Sequence, residues 1–277
     1  MAATGAESAD TMSGVVKVSF PRKDVGVAVD GWKIPPFMGL TSWASFSAGK
    51  PGKAEAMVMG DLVVFEDEVN PTMSSLLDSG VEVTALHNHF FFDSPKVYFM
   101  HIGGEGSIAS LGKGVRAALD KVAEIRKRAP KPTSTFGAAA LPAKSTIDPA
   151  PIEAALGVKG QAKDGMFKAV MGRETNAACG CPVGKAMGVN TWAAFAGTND
   201  NAVVDGDFSV AETELQAVLK TLRAGGIEVV TIHQHMTGES PRLLFLHYWG
   251  RGKAVDLAKT VKKGLDLTAW DGKAKGA

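Results

Sequence analysis

The sequence predicts an α+β protein made by tandem duplication, each half an antiparallel sheet of hairpins with two helices packed on one face. Two observations predict it. The same strings recur in the same order in both halves of the 277 residues: Met38 to Phe46 matches Met187 to Phe195, Gly60-Asp61 matches Gly206-Asp207, and Gly80 to Val83 matches Gly226 to Val229. Each copy also reads as hairpins punctuated by turn residues and two helices, with no βαβ alternation.

The first copy opens with a strand at 15–20, and a strand-like stretch covers 25–34. Segments 41–47 and 54–64 form a hairpin around Pro51-Gly52. A helix over 67–78 stops at Gly80, because glycine accepts the left-handed conformation that ends helices. Segments 81–91 and 96–103 form a second hairpin turning at Asp93-Ser94-Pro95. A long helix follows from Ile108 to about Arg128, with Leu111, Val115, Leu119 and Val122 on one stripe. The register between copies is constant from Gly60 onward and shifts by three residues in the loop after Phe46, where length changes are tolerated. Residues 1–128 form the first repeat, and 129–151, rich in Pro, Ala, Thr and Ser, read as an extended linker. Residues 152–277 form the second repeat, opening with a short helix from Ile152 that ends at Gly157.

Composition narrows the function classes. Apolar residues make up 45% of the chain, enough for a packed core, and the net charge of +1 comes with no basic stretch, so no nucleic-acid partner is expected. No apolar run approaches the roughly 20 residues of a membrane span. Met1 to Asp10 is small and polar and does not read as a signal peptide. Cys179-Gly180-Cys181 stands only in the second copy. Bridging cysteines one residue apart is strained, so free thiols are expected.

All six histidines fall in two copies of one pattern. His87 and His89 flank Asn88, and His101 follows. His233 and His235 flank Gln234, and His247 follows at the same spacing. Residues i and i+2 of a strand share a face, so each His-x-His pair projects together, with Cα atoms roughly 6–7 Å apart. If the returning strand turns about Ser94, His101 lies opposite His87, and Ser240 sets the same geometry for His247 and His233. A one-residue slip would send the third ring to the other face. Three converging imidazoles suit a divalent metal, with zinc first and copper or iron as alternatives, and leave a coordination position open. The competing reading is a set of core histidines satisfied by hydrogen bonds.

Glu66, Glu68, Glu212 and Glu214 begin equivalent helices, where the dipole favours ionised carboxylates. They are candidates to ligate the metal, orient water or act as general base, and equally read as ordinary helix-start charge. Asp61 and Asp207 follow glycine and read as turn or capping residues. Arg22 and Arg173 read as ion-pair or surface residues before anion binders.

The strings from Gly80 to His89, Ser94 to His101 and Pro241 to Trp249, with Gly60-Asp61, resemble the LppY/LpqO family, a bacterial family of unknown function with two similar halves. The resemblance runs from about Val15 to Asp266. Its second half usually reads His-Asn-His, whereas Gln234 stands here. Members are often exported or lipid-anchored, so the resemblance implies a periplasmic or other extracytoplasmic location. Two functions are expected from all this: a metal-dependent enzyme, a hydrolase first, or a non-catalytic protein that carries metal or grips a small-molecule or cell-envelope ligand.

Overall fold

A computed structural model of the chain describes residues 3–6 and 9–272. The chain divides into two compact units, residues 1–137 and 138–277. Both are mixed α+β units built on an antiparallel sheet.

Unit 1 contains β1 (Ala9–Met12), β2 (Val15–Pro21), β3 (Val27–Val29), β4 (Trp32–Ile34), β5 (Thr41–Ala48), β6 (Ala56–Phe65), α1 (Glu66–Asp78), β7 (Glu82–His87), β8 (Asp93–Ser94), β9 (Val97–Gly106) and α2 (Ile108–Arg128). Its main sheet has the order β1-β2-β5-β6-β9-β7. β3, β4 and β8 form a separate small sheet. Unit 2 contains α3 (Pro149–Leu156), β10 (Gln161–Lys163), β11 (Met166–Gly172), β12 (Thr175–Asn176), β13 (Pro182–Val183), β14 (Asn190–Gly197), β15 (Ala202–Ala211), α4 (Glu212–Ala224), β16 (Glu228–His233), β17 (Leu243–Gly252) and α5 (Ala254–Leu265). Its main sheet runs β16-β17-β15-β14-β11-β10, the same order as in unit 1.

The expected hairpins are present, but one connection differs from expectation. β6 and β7 both pair antiparallel with β9 and are therefore parallel to each other, with β9 inserted between them. α1 makes the crossover, so each unit contains a split βαβ rather than hairpins alone. The sequence hides this because consecutive β7 and β9 do pair as a hairpin.

In unit 1, α1 and α2 cover one face of the sheet and bury Met73, Leu76, Leu111 and Val115 with Leu62, Val83, Leu86 and Met100. The buried stripe of α2 continues through Ala118 and Ile125, while Leu119 and Val122 are half-buried. Small residues allow this: a Cβ on Gly114 would meet Val81 at 2.5 Å, so the helix lies close on the segment that leads into β7. On the opposite sheet face Val63, Phe65, Val97 and Phe99 pack against Val27, Ile34 and Leu40. Unit 2 repeats this second, smaller core with Val189, Leu243 and Phe245.

The Pro- and Ala-rich segment between the repeats lies against both units in turn. The Thr133 amide donates to Asp67 Oδ2 at 3.2 Å in unit 1. Further on, the Thr146 amide donates to the Gly197 carbonyl at 2.8 Å in unit 2. The helix of the second repeat starts at Pro149, where Asp148 caps it by accepting from the Ala150 amide at 3.1 Å.

Cys179 and Cys181 are joined by a disulfide and are not free thiols. Their Cα atoms stand 5.4 Å apart, inside the ordinary range for a bridge, because the Ala177–Cys181 turn folds back on itself.

Candidate metal centre

The histidines lie on the sheet face away from the main helices, at the edge of the smaller core. The register differs from the one expected. His101 pairs with Ala85, and His87 pairs with Phe99. Unit 2 matches, with His247 opposite Thr231 and His233 opposite Phe245. The displacement is two residues, so all three rings stay on one side of the strand. A bulge at Thr84, and at Val230 in unit 2, absorbs one residue further along, which is why Val83 and Leu86 both reach the main core.

The rings converge. The His87 centroid lies 5.2 Å from His89 and 5.0 Å from His101. The His233 centroid lies 5.0 Å from both His235 and His247. The second ring of each pair stacks on a core phenylalanine, His89 on Phe99 at 3.3 Å and His235 on Phe245 at 3.5 Å. This contact holds the ring in place although the chain has already left β7 or β16.

The acidic partner is an aspartate that the sequence reading assigned to a turn. Asp61 lies inside β6, opposite His101, and Asp207 lies inside β15, opposite His247. They are 8% and 2% exposed, and on each of them Oδ1 is buried with no hydrogen-bond partner among the described residues. Burying a carboxylate oxygen unpaired is costly, and a cation is one group that satisfies it. The glycine before each aspartate has a packing reason. A Cβ on Gly60 would meet the Trp43 carbonyl at 2.6 Å, and one on Gly206 would meet the Tyr248 ring at 2.2 Å. The repeated Gly-Asp pair thus marks a strand interior, glycine towards the packed side and aspartate towards the histidines. That repetition was the available signal.

The four glutamates have other surroundings. Glu68 is fully buried and ion-paired to Arg22 at 2.8 Å and Arg126 at 2.8 Å, and it accepts the Phe65 amide at 2.9 Å at the start of α1. Glu214 pairs with Arg173 at 2.5 Å and accepts the Ala211 amide at 2.8 Å. Glu66 and Glu212 are exposed, and Glu212 faces Arg242 at 3.7 Å. The oxygens of Glu68 and Glu214 are therefore committed to caps and arginines. Arg22 and Arg173 are the ion-pair residues expected of them.

Unit 2 has the tighter constellation. Ligand atoms of Asp207, His233 and His235 all lie within 4.8 Å of one another, the one such group of three among the described residues. Nε2 of His233 and Nε2 of His235 face each other at 3.1 Å, and His235 Nε2 lies 3.4 Å from Asp207 Oδ2. Two nitrogens on one tetrahedral zinc, each about 2.0–2.1 Å from it, stand roughly 3.3 Å apart. His247 donates its Nδ1–H to the Gly206 carbonyl at 3.2 Å, so in the neutral ring Nε2 carries the free lone pair. His233 Nδ1 meets the Thr231 hydroxyl at 3.0 Å, which turns Nε2 towards the site. Partners of this kind orient imidazoles at metals.

Burial favours the neutral form of three of these rings, His89, His233 and His235. Burial first, then the neighbouring rings, pushes His233 down to about 4. Burial and His247 lower His235, with a hydrogen bond to the Gly188 backbone opposing. His89 is lowered by burial, against the pull of Asp61. The Asp207 carboxyl is raised to about 6 by burial, with His247 opposing.

Fold and site together define a duplicated α+β protein with a histidine–aspartate cluster on the open sheet face of each unit. The chain belongs to the family described as Domain of Unknown Function (DUF1259), whose model matches residues 2–121 and 150–267. No curated protein sequence matches the chain. Among solved structures it is similar to a trimeric bacterial microcompartment shell protein, PduB, at 13% identity over 96% of this chain and 90% of that chain, with a TM-score of 0.24. A likeness at that score carries no argument. No helix among the described residues is long and apolar enough to cross a membrane.

Proposed function

We propose that the protein binds a divalent metal, zinc first, in each unit, through His87, His89, His101 and Asp61 in unit 1 and His233, His235, His247 and Asp207 in unit 2. The observation that carries this reading is the convergence of Asp207, His233 and His235 ligand atoms within 4.8 Å, around a buried carboxylate oxygen that has no hydrogen-bond partner among the described residues. Neutral imidazoles and an ionised carboxylate are the ligand forms a divalent ion takes, with copper or iron as alternatives to zinc. Metal content measured on purified protein and on the His87→Ala/His233→Ala variant tests it. Wild type carrying metal and the variant losing it supports the reading; equal content in both overturns it.

A second reading, a metal-dependent hydrolase, is favoured by the place of Asp207, whose Oδ2 lies 3.4 Å from His235 Nε2 at the edge of the histidine cluster. In that reading Asp207 is not a ligand but the base to a water held by the three histidines, the role first considered for the glutamates. Asp207→Asn then keeps metal and loses hydrolysis of p-nitrophenyl esters. If Asp207 is a ligand in a carrier or binding protein, the same variant loses metal. The resemblance to the LppY/LpqO family supports an extracytoplasmic location and a small-molecule or cell-envelope ligand; fractionation of cells expressing the tagged full-length protein checks the location.

A further inference from the structure

The site row continues across the sheet beyond the aspartate. In unit 1 His101, Asp61, Trp43 and Ser19 stand side by side on β9, β6, β5 and β2. Unit 2 places His247, Asp207, Trp192 and Val170 in the same row. Two residues before Ser19 on β2, Lys17 reaches back on the same face and holds Nζ 4.5 Å from the Trp43 ring centre. Lys168 holds Nζ 4.1 Å from the Trp192 ring centre. Among the described residues neither lysine is in an ion pair, and each ammonium is held by its indole face alone.

The lysine and tryptophan recur while the residues around them on that face do not. Ser19 becomes Val170, Ser45 becomes Ala194 and Met59 becomes Asp205. A lysine that merely solvated the surface would have been as free to change as these. What the two units share is a cation parked on an aromatic floor beside a histidine–aspartate cluster.

We infer that Lys17 with Trp43, and Lys168 with Trp192, form the anion-holding half of a ligand site, and that the ligand is an elongated organic dianion. This rests on the metal reading above: one acidic end adds to the metal as a fifth ligand beyond the four protein groups, and the other pairs with the lysine. The ammonium over β5 and the histidine row on β9 are two strand spacings apart, about 10 Å. A metal–oxygen bond and a charge-assisted hydrogen bond take up roughly half of that span, which leaves a short dicarboxylate or a phosphorylated acid as the fitting class. The indole floor carries the carbon body between the ends.

Calorimetric titration of zinc-loaded protein with glutarate, and with valerate as the monoacid of equal chain length, tests the inference. Wild type is expected to prefer glutarate by on the order of fivefold, the size of an exposed ion pair. Lys17→Met/Lys168→Met keeps an apolar stem on each indole and is expected to erase that preference while zinc content and valerate affinity stay unchanged. No preference in fully loaded wild type, or a preference that survives the double variant, overturns the anion half and leaves the metal reading standing. A protein that takes up no zinc overturns both, and zinc content separates that failure from the first. Unit 1 is expected to show the larger preference, because Asp205 adds negative charge to the same face of unit 2.

Discussion

In unit 2 Thr231 stands opposite His247, where unit 1 has Ala85 opposite His101. The hydroxyl meets Nδ1 of His233 and turns its Nε2 towards His235 and Asp207, whereas alanine offers His87 no such partner. Helix starts differ in the other direction. Glu68 of unit 1 is gripped by Arg22 and Arg126 with no exposure, while Glu214 of unit 2 has Arg173 and backbone amides and is 18% exposed. Duplicated halves with the same strand order have thus diverged in opposite ways, unit 1 towards a locked frame and unit 2 towards a preorganised site. One side chain beside a histidine, or one arginine from a later helix, is enough to set the difference.

The largest expected effect concerns the frame. Glu68→Ala leaves Arg22 and Arg126 buried without their shared carboxylate and is expected to cost about 3–5 kcal/mol. Glu214→Ala, partly solvated, is expected to cost less than half as much. Denaturant unfolding of both variants checks this, and equal losses would remove the asymmetry.

Next comes the site. His233→Ala/His235→Ala is expected to weaken the tighter zinc site by more than about a hundredfold, and His87→Ala/His89→Ala to abolish only the weaker one. Competition with a chelator of known affinity resolves the two sites. If the unit 1 pair proves to hold the tighter zinc, the ranking of the units is reversed.

The Thr231 contrast can be exchanged between units. Thr231→Ala is expected to lower zinc affinity of unit 2 by about tenfold, and Ala85→Thr to raise that of unit 1 by a similar or smaller factor. Affinities unmoved by both changes would leave the hydroxyl without a role.

The smallest effect is a pH dependence of the metal-free protein. The folded Asp207 carboxyl sits at about 6, above its ordinary 3.8, so between these values the folded state holds a proton that the unfolded chain has released. Its contribution to stability is complete below 3.8 and is lost as pH rises through 6. The stability difference, wild type minus Asp207→Asn, should therefore fall across that window and level off above it. A difference that rises with pH would contradict the carboxyl's assigned environment.

Much of the site was legible in the chain. His87, the last residue of β7, and His101 share a face because strand side chains alternate, and a two-residue displacement kept that face intact, whereas His89, past the end of the strand, is held beside them by stacking on Phe99. The aspartates were misread because a Gly-Asp pair most often signals a turn. The glycines were needed instead for the approach of Trp43 and Tyr248, contacts invisible in local sequence. The surroundings of the glutamates were hidden for the complementary reason. Their position at helix starts was clear, but Arg126, which helps to take up Glu68, lies 58 residues further along, on α2.

By itself, then, the sequence determined the duplication, the hairpins, the helices and the placing of six imidazoles in two groups, because repeats and alternation are local patterns. The tertiary structure decided the bulged register, the insertion of β9 between β6 and β7, which carboxylates lie beside the histidines and the lysine over each tryptophan. Each of these depends on which strand lies beside which, and that is settled by burial of the two cores across distant segments rather than by any run of neighbouring residues.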